Sequence, residues 1–240
     1  MVGRPPRRVA LKESELPRVE AVERALSILD AFGDGIGTQS LTDLSRSTGF
    51  YPSTILRLAG SLERFGYLRR ELDGRFRLGP SARRLGTMYE QVFGLSGVIR
   101  PILADLVHEV EETAAFYVRE GNMRVCLFRQ NGPRPLRSHL EEGSVLPLDR
   151  GAGGHVLMAY SGANGDHYDQ IRELGWVASL GERDPDSAAV AVPVLDGQGR
   201  FIGALSVSGP VTRFDQAHVA LFVDALKRHA QSITRVILHG

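Results

Sequence analysis

The sequence predicts two domains: an α-rich head that ends in a short hairpin, followed by a larger α+β domain whose strands run antiparallel. Three observations carry this. Two helix-period stretches separated by a glycine lie between Ser40 and Tyr67, a run alternating about Asp73-Gly74 follows them, and beyond Val98 helical stretches interleave with short β-like runs. A chain of 240 residues with 42% apolar content can fill two cores. The formal charge of +1 says little by itself, but residues 1–85 hold 15 basic and 10 acidic side chains and the remainder 14 and 18. The positive excess sits on the head, which points to an anionic partner there.

Residues 1–18, rich in Arg and Pro and without periodicity, read as a flexible basic tail. Arg4, Arg7 and Arg8 also suit an arm that tracks phosphates or a minor groove, and both readings stand. Val22, Ala25, Leu26, Leu29 and Phe32 recur at helical spacing, so Val19 to Phe32 predicts a supporting helix, broken by Gly33 to Gly37. Ser40 can cap the next helix, with Asp43 in the place of a capping-box acid, and Gly49 closes it. Pro52 suits the first turn of the following helix, where its missing N–H would have had no partner. Ile55, Leu58, Ala59 and Leu62 mark the buried face of that helix; Ser53, Thr54, Arg57, Ser61 and Arg64 lie opposite. Small hydroxyls and arginine at the start of a second helix are what a major groove accepts. The run Tyr67 to Gly79 then predicts a hairpin turning at Asp73-Gly74. Helices plus a basic hairpin make a winged helix-turn-helix over 19–80. The candidate DNA contacts are Tyr51, Ser53, Thr54 and Arg57, with Arg46 on the first helix of the pair and Arg75 on the wing.

The pattern resembles the IclR family of bacterial transcription regulators. The residues that carry the resemblance are Val22-Glu-Arg-Ala-Leu-Ser-Ile-Leu29, Leu41 to Ser45, Gly49, Ser53-Thr54, Arg57-Leu58, Gly66-Tyr67 and Phe76-Arg-Leu-Gly79. In the second half Gly143 to Pro147, Gly154, Ala191 to Val194 and Leu205-Ser-Val-Ser-Gly-Pro210 continue it. The resemblance implies a winged head, a linking helix over 81–97 that takes part in dimer contacts, and a GAF-like effector-binding domain over 98–240. The stripe Ala82, Leu85, Met88, Tyr89 and Val92 fits that linking helix, though such a stripe also serves as plain core. Two positions depart from the family. Leu56 stands where a polar residue is usual and could touch a thymine methyl or pack on a neighbour; the segment between Ala159 and Trp176 is short, which trims one pocket wall. Gly60, in a helix interior, suggests close packing against a neighbour.

In the second half a helix over Ile99 to Glu112 precedes β-like runs at Ala114 to Arg119, Arg124 to Gln130 and Leu136 to Leu140. The loop Asp149 to His155 leads into a helix through Tyr160. Strands follow at Ala188 to Leu195 and Phe201 to Ser208, and a final helix runs from Asp215 to Leu238. Ser206 and Ser208 are two apart on a strand, which puts both hydroxyls on one face. The free N–H groups of the Gly151 to Gly154 loop could hold a carboxylate. The resemblance adds the segment near Ser179 and Ser187 and the Ala189 strand. The candidate effector-binding residues are therefore Ala152, Gly153, Gly154, Ser179, Ser187, Ala189, Ser206 and Ser208. Ala189 and Val190, where relatives are often more polar, favour a larger or more apolar acid. Serines satisfied within a sheet and glycines that only serve a turn would look the same.

Cys126 is the single cysteine, which excludes an intrachain disulfide and a cysteine-based metal site. The histidines show no i, i+4 pair, so no metal is expected, and no cofactor motif is present. No Gly-x-Ser-x-Gly elbow appears. Apolar runs stay far below the roughly 18 residues of a membrane span, and Arg4 to Glu13 is no signal peptide. The expectation is a cytoplasmic, non-enzymatic regulator, a homodimer or homotetramer, that binds a double-stranded DNA operator and responds to a small organic acid. Two alternatives remain at this level: a second half that only oligomerises, and an enzyme fused to a DNA-binding head.

Overall fold

A computed structural model describes residues 18–32, 37–134 and 140–237. The tail expected over 1–18 lies outside them except for Arg18, as does the run Leu136 to Leu140 except for Leu140. The chain divides into two compact units, residues 1–86 and 87–240.

The first unit contains α1 (Glu20–Asp30), α2 (Leu41–Thr48), α3 (Pro52–Arg64) and the hairpin strands β1 (Leu68–Arg70) and β2 (Phe76–Leu78). The start of α2 is held by a reciprocal cap: Asp43 N–H donates to the Ser40 hydroxyl at 3.1 Å, and Ser40 N–H donates to the Asp43 carboxylate at 3.1 Å. These bonds from Ser40, aided by Arg75 and Arg46, hold the Asp43 carboxyl below the usual carboxylate range against a smaller effect of burial. Gly49 ends α2 at φ 72°, a conformation that costs glycine little. Ile55, Leu58, Ala59 and Leu62 of α3 pack with Ile28, Leu44, Leu68 and Phe76, so one apolar cluster ties the helices to the wing. Gln39 exchanges both backbone hydrogen bonds with Phe76 at 2.8 Å, adding a short bridge to the β1–β2 pair.

Next comes α4 (Pro80–Phe93). Of the stripe expected there, Ala82 is half-buried, whereas Leu85, Met88 and Tyr89 are exposed. The side chain of Val92 lies outside the described residues. Among the described residues Leu85, Met88 and Tyr89 are therefore not core.

The second unit is built on six antiparallel strands in the order β5-β4-β3-β8-β7-β6. They are β3 (Thr113–Glu120), β4 (Met123–Gln130), β5 (Val145–Pro147), β6 (Val177–Leu180), β7 (Ser187–Leu195) and β8 (Phe201–Pro210). One face buries Phe116, Val190, Val192, Leu205 and Val207 under α5 (Ser96–Val110) and α8 (Gln216–Ile237). The other carries Ala115, Tyr117, Cys126, Ala191 and Ala204 beneath α6 (Ala152–Tyr160), with Ile171 of α7 (Asp166–Leu174) in the same cluster. The alternation of β8 explains both: Leu205 and Val207 point to the first face, Ala204, Ser206 and Ser208 to the second. The sequence gives weak signals for β5, α7 and β6. β5 has three residues, α7 buries only Ile171, and β6 is a half-buried edge strand without alternation.

Candidate DNA-binding face and ligand cavity

The exposed side of α3 presents Ser53, Leu56, Arg57, Gly60, Ser61 and Arg64, with Thr54 half-buried beside them. Tyr51, 81% exposed, precedes the helix directly. Arg46 projects from the last turn of α2 with only a loose pairing to Asp43 at 3.7 Å. Arg75 is different. Its Nε donates to the Thr38 hydroxyl at 3.0 Å and its Nη2 to the Thr38 carbonyl at 3.0 Å, with Asp43 at 3.8 Å. The guanidinium expected to meet phosphate is thus engaged in bracing the wing against the start of α2. Arg77 pairs with Glu71, and Arg70 lies over the Phe76 ring at 5.3 Å. Among the described residues Arg57, Arg64 and Arg69 have no side-chain partner, which leaves their donors open to an external anion. Gly60, expected to mark close packing, faces open space: a Cβ there would meet nothing within 4 Å.

The second unit holds a cavity of about 640 Å³ between the sheet and the start of α6. Ala152, Gly153, Ser179, Ser187, Ala189, Ser206 and Ser208 line it. Strand register explains the floor: Ser179 pairs with Ala189, which pairs with Ser208, so these three side chains form a cross-strand row. Ser206 sits opposite Ala115 and Ala191 in the adjoining row. Gly154 does not line the cavity. A Cβ on it would lie 2.3 Å from the Leu148 carbonyl oxygen and 3.1 Å from Arg124 Nη1, so close packing alone requires glycine there. No residue of α7, the segment that the sequence shows shortened, lines the cavity either.

Sequence reasoning missed Tyr117, Arg124 and Glu182. Arg124, on β4, is 4% exposed, lies over the Tyr117 ring at 5.2 Å, and lines the cavity. A Cβ on Gly151 or Gly153 would sit 3.3 Å from its guanidinium nitrogens, so the glycine loop wraps this side chain. Burial lowers the Arg124 pKa and pushes the Tyr117 hydroxyl up to about 12. Glu182 accepts from Gly151 N–H at 2.8 Å, from the Ser179 hydroxyl at 2.7 Å and from His155 Nε2 at 2.8 Å. Burial alone would raise the Glu182 pKa; those three hydrogen bonds outweigh it and hold the carboxyl below its ordinary value. The sequence signal for Arg124 is slight: it stands directly before the apolar run Val125 to Phe128, as Arg129 stands directly after it.

The IclR helix-turn-helix domain matches residues 21–72, and the domain described as bacterial transcriptional regulator IclR C-terminal matches residues 88–166 and 165–235. The chain belongs to the IclR family. As such it is a DNA-binding transcription regulator and not an enzyme. The IclR-type C-terminal match falls in two stretches that meet just ahead of α7. Among relatives, the HTH-type transcriptional regulator XynR of Escherichia coli is 26% identical, over 92% of this chain and 98% of its own. The glycerol operon regulatory protein of Streptomyces griseus is also 26% identical, over 90% and 96%. The same fold occurs in the crystal structure of an IclR homolog complexed with 4-hydroxybenzoate from Microbacterium hydrocarbonoxydans, with a TM-score of 0.75 at 21% identity over 92% of this chain and 100% of that one. The Thermotoga maritima IclR gives 0.72 at 19% identity, over 91% and 98%. Among the described residues no helix is long and apolar enough to cross a membrane, and no metal-ligand cluster occurs.

Proposed function

We propose that this IclR-family regulator binds a small organic acid in the cavity of the second unit and that the acid changes its affinity for an operator. The observation that carries the reading is the cavity: about 640 Å³, concave, mostly apolar in its lining, with a few convergent hydroxyls and one buried cation. This is the make-up of a small-molecule site. The homolog that holds 4-hydroxybenzoate supports an acid as the ligand class.

On the DNA side, Ser53, Thr54 and Arg57 read base edges from α3, while Tyr51, Arg46 and Arg69 meet phosphates. Arg75 acts indirectly by fixing the wing. The operator is roughly palindromic and the protein binds it as a cytoplasmic dimer or tetramer, with the exposed stripe Leu85, Met88 and Tyr89 on α4 available for contacts between copies. The test is binding to the DNA upstream of its own gene, titrated with organic acids. An acid that raises the melting temperature and shifts operator affinity is expected. Strong DNA binding that no acid alters, with no thermal shift, would instead favour a second unit that only oligomerises.

A further inference from the structure

Three groups around the cavity could receive an acid: the N-terminus of α6 and the guanidinium groups of Arg124 and Arg183, of which Arg183 is exposed and already has an interaction within the chain. At the first, Gly151 N–H donates to the Glu182 carboxylate at 2.8 Å and the N–H groups of Gly154 and His155 donate to the Gly151 carbonyl, so the donors left to a ligand there are the uncharged N–H groups of Ala152 and Gly153. Glu182 in turn divides its oxygens among Gly151, Ser179 and His155. Arg124 is the reverse case. It is 4% exposed, yet it has no carboxylate at salt-bridge distance among the described residues. Its one hydrogen bond, to the Gly151 carbonyl, is long at 3.5 Å, and its Nε is buried with no partner at all. A buried cation is costly unless paired, and the Tyr117 ring at 5.2 Å compensates only part of that cost. The remainder is recovered if an anion enters the cavity that this side chain lines.

The rest of the lining describes the body of that anion. Ala152, Ala188, Ala189, Leu146 and Val211 give apolar walls. Ser206 and Ser208 also line the cavity, and no hydrogen bond from either hydroxyl is found among the described residues. Asp184 and Asp186, which also line it, would repel a second acid group. The volume is that of a site for a ring-sized ligand and exceeds what a two- or three-carbon acid would fill.

We propose that Arg124 is the residue that takes the acid group, and that the ligand is a monocarboxylate with a ring-sized, mostly apolar body whose hydroxyl meets Ser206 or Ser208. This rests on the effector reading above. The guanidinium offers planar paired donors to a carboxylate, a bond strengthened where water is excluded.

The experiment is calorimetry and thermal shift on the full chain with benzoate, 4-hydroxybenzoate and phenylacetate, each beside its neutral carboxamide. The wild type is expected to bind at least one acid, and to bind its amide on the order of a hundredfold more weakly, as for loss of a buried charge pair. Arg124→Gln and Arg124→Met are expected to bind acid and amide alike, at the weaker level. Without ligand, Arg124→Met is expected to melt higher than wild type, because it removes an unpaired buried charge; a side chain kept only for structure would give a lower melting temperature. Wild type and both variants binding the acid equally well would overturn the role of Arg124 while leaving the effector reading intact. Binding of none of the three by the wild type would overturn the ring-sized monocarboxylate as the ligand, while the wider titration with organic acids decides the effector reading separately.

Discussion

Arg124 and Gly60 show what a single position can hide. Arg124 reads as a charge at the edge of the apolar run Val125 to Phe128, and only the fold places it under the Gly151 to Gly153 loop, where the glycines leave room for a guanidinium. Gly154 looks equivalent in sequence but faces the Leu148 carbonyl, so its smallness serves packing. Gly60 is the opposite case. It is exposed on α3, and a Cβ would touch nothing within 4 Å. Glycine in a helix interior costs roughly 0.5–1 kcal/mol relative to alanine, so the isolated protein would be more stable with alanine there. Gly60→Ala is expected to raise stability by about that amount in chemical denaturation and to weaken operator binding, because the added methyl projects from the groove-facing side. An unchanged operator affinity would mean that this part of α3 stays clear of the DNA.

Among the elements, legibility followed local chemistry. The helix pair was readable because Ser40, Asp43, Gly49 and Pro52 are start and stop signals with physical causes, and the capping box forms as those residues imply. Ser206 and Ser208 were readable as a pair because strand periodicity puts them on one face, and both line the cavity. β5, α7 and β6 were not readable: short edge strands and a mostly exposed helix gain their order from neighbours distant in sequence, such as the pairing of β6 with β7. The same reasoning separates Arg75 from Arg69. Alternation cannot say which guanidinium is engaged, whereas the bonds from Arg75 to Thr38 can. The cap offers a test at this scale. Ser40→Ala removes the acceptor for Asp43 N–H and is expected to cost about 1 kcal/mol of head stability. Thermal melts read by a probe in the head should show it, and a Ser40→Asp variant, which restores an acceptor, should recover most of it. A loss that aspartate fails to restore would point to packing of Ser40 instead of capping.

For the whole molecule the open question is whether the two units are energetically linked. A ligand that binds two arrangements of the DNA-binding heads equally well shifts nothing, however tight its binding. If the acid changes operator affinity by some factor, thermodynamic linkage requires the operator to change acid affinity by that same factor. The two halves of this cycle can be measured separately: operator affinity by anisotropy with and without saturating acid, and acid affinity by calorimetry with and without saturating operator. Couplings of 1–3 kcal/mol, about 5- to 150-fold, are typical of allosteric proteins and well within reach of both measurements. Equal factors away from one are expected. Acid binding in the cavity with both factors at one would show a sensor domain uncoupled from its head, and unequal factors would reveal a change of oligomeric state between the two titrations. The Arg124→Gln variant closes the argument: it should keep the operator affinity of the acid-free wild type while losing the acid's effect on it, because it alters the cavity and leaves α3 and the wing untouched.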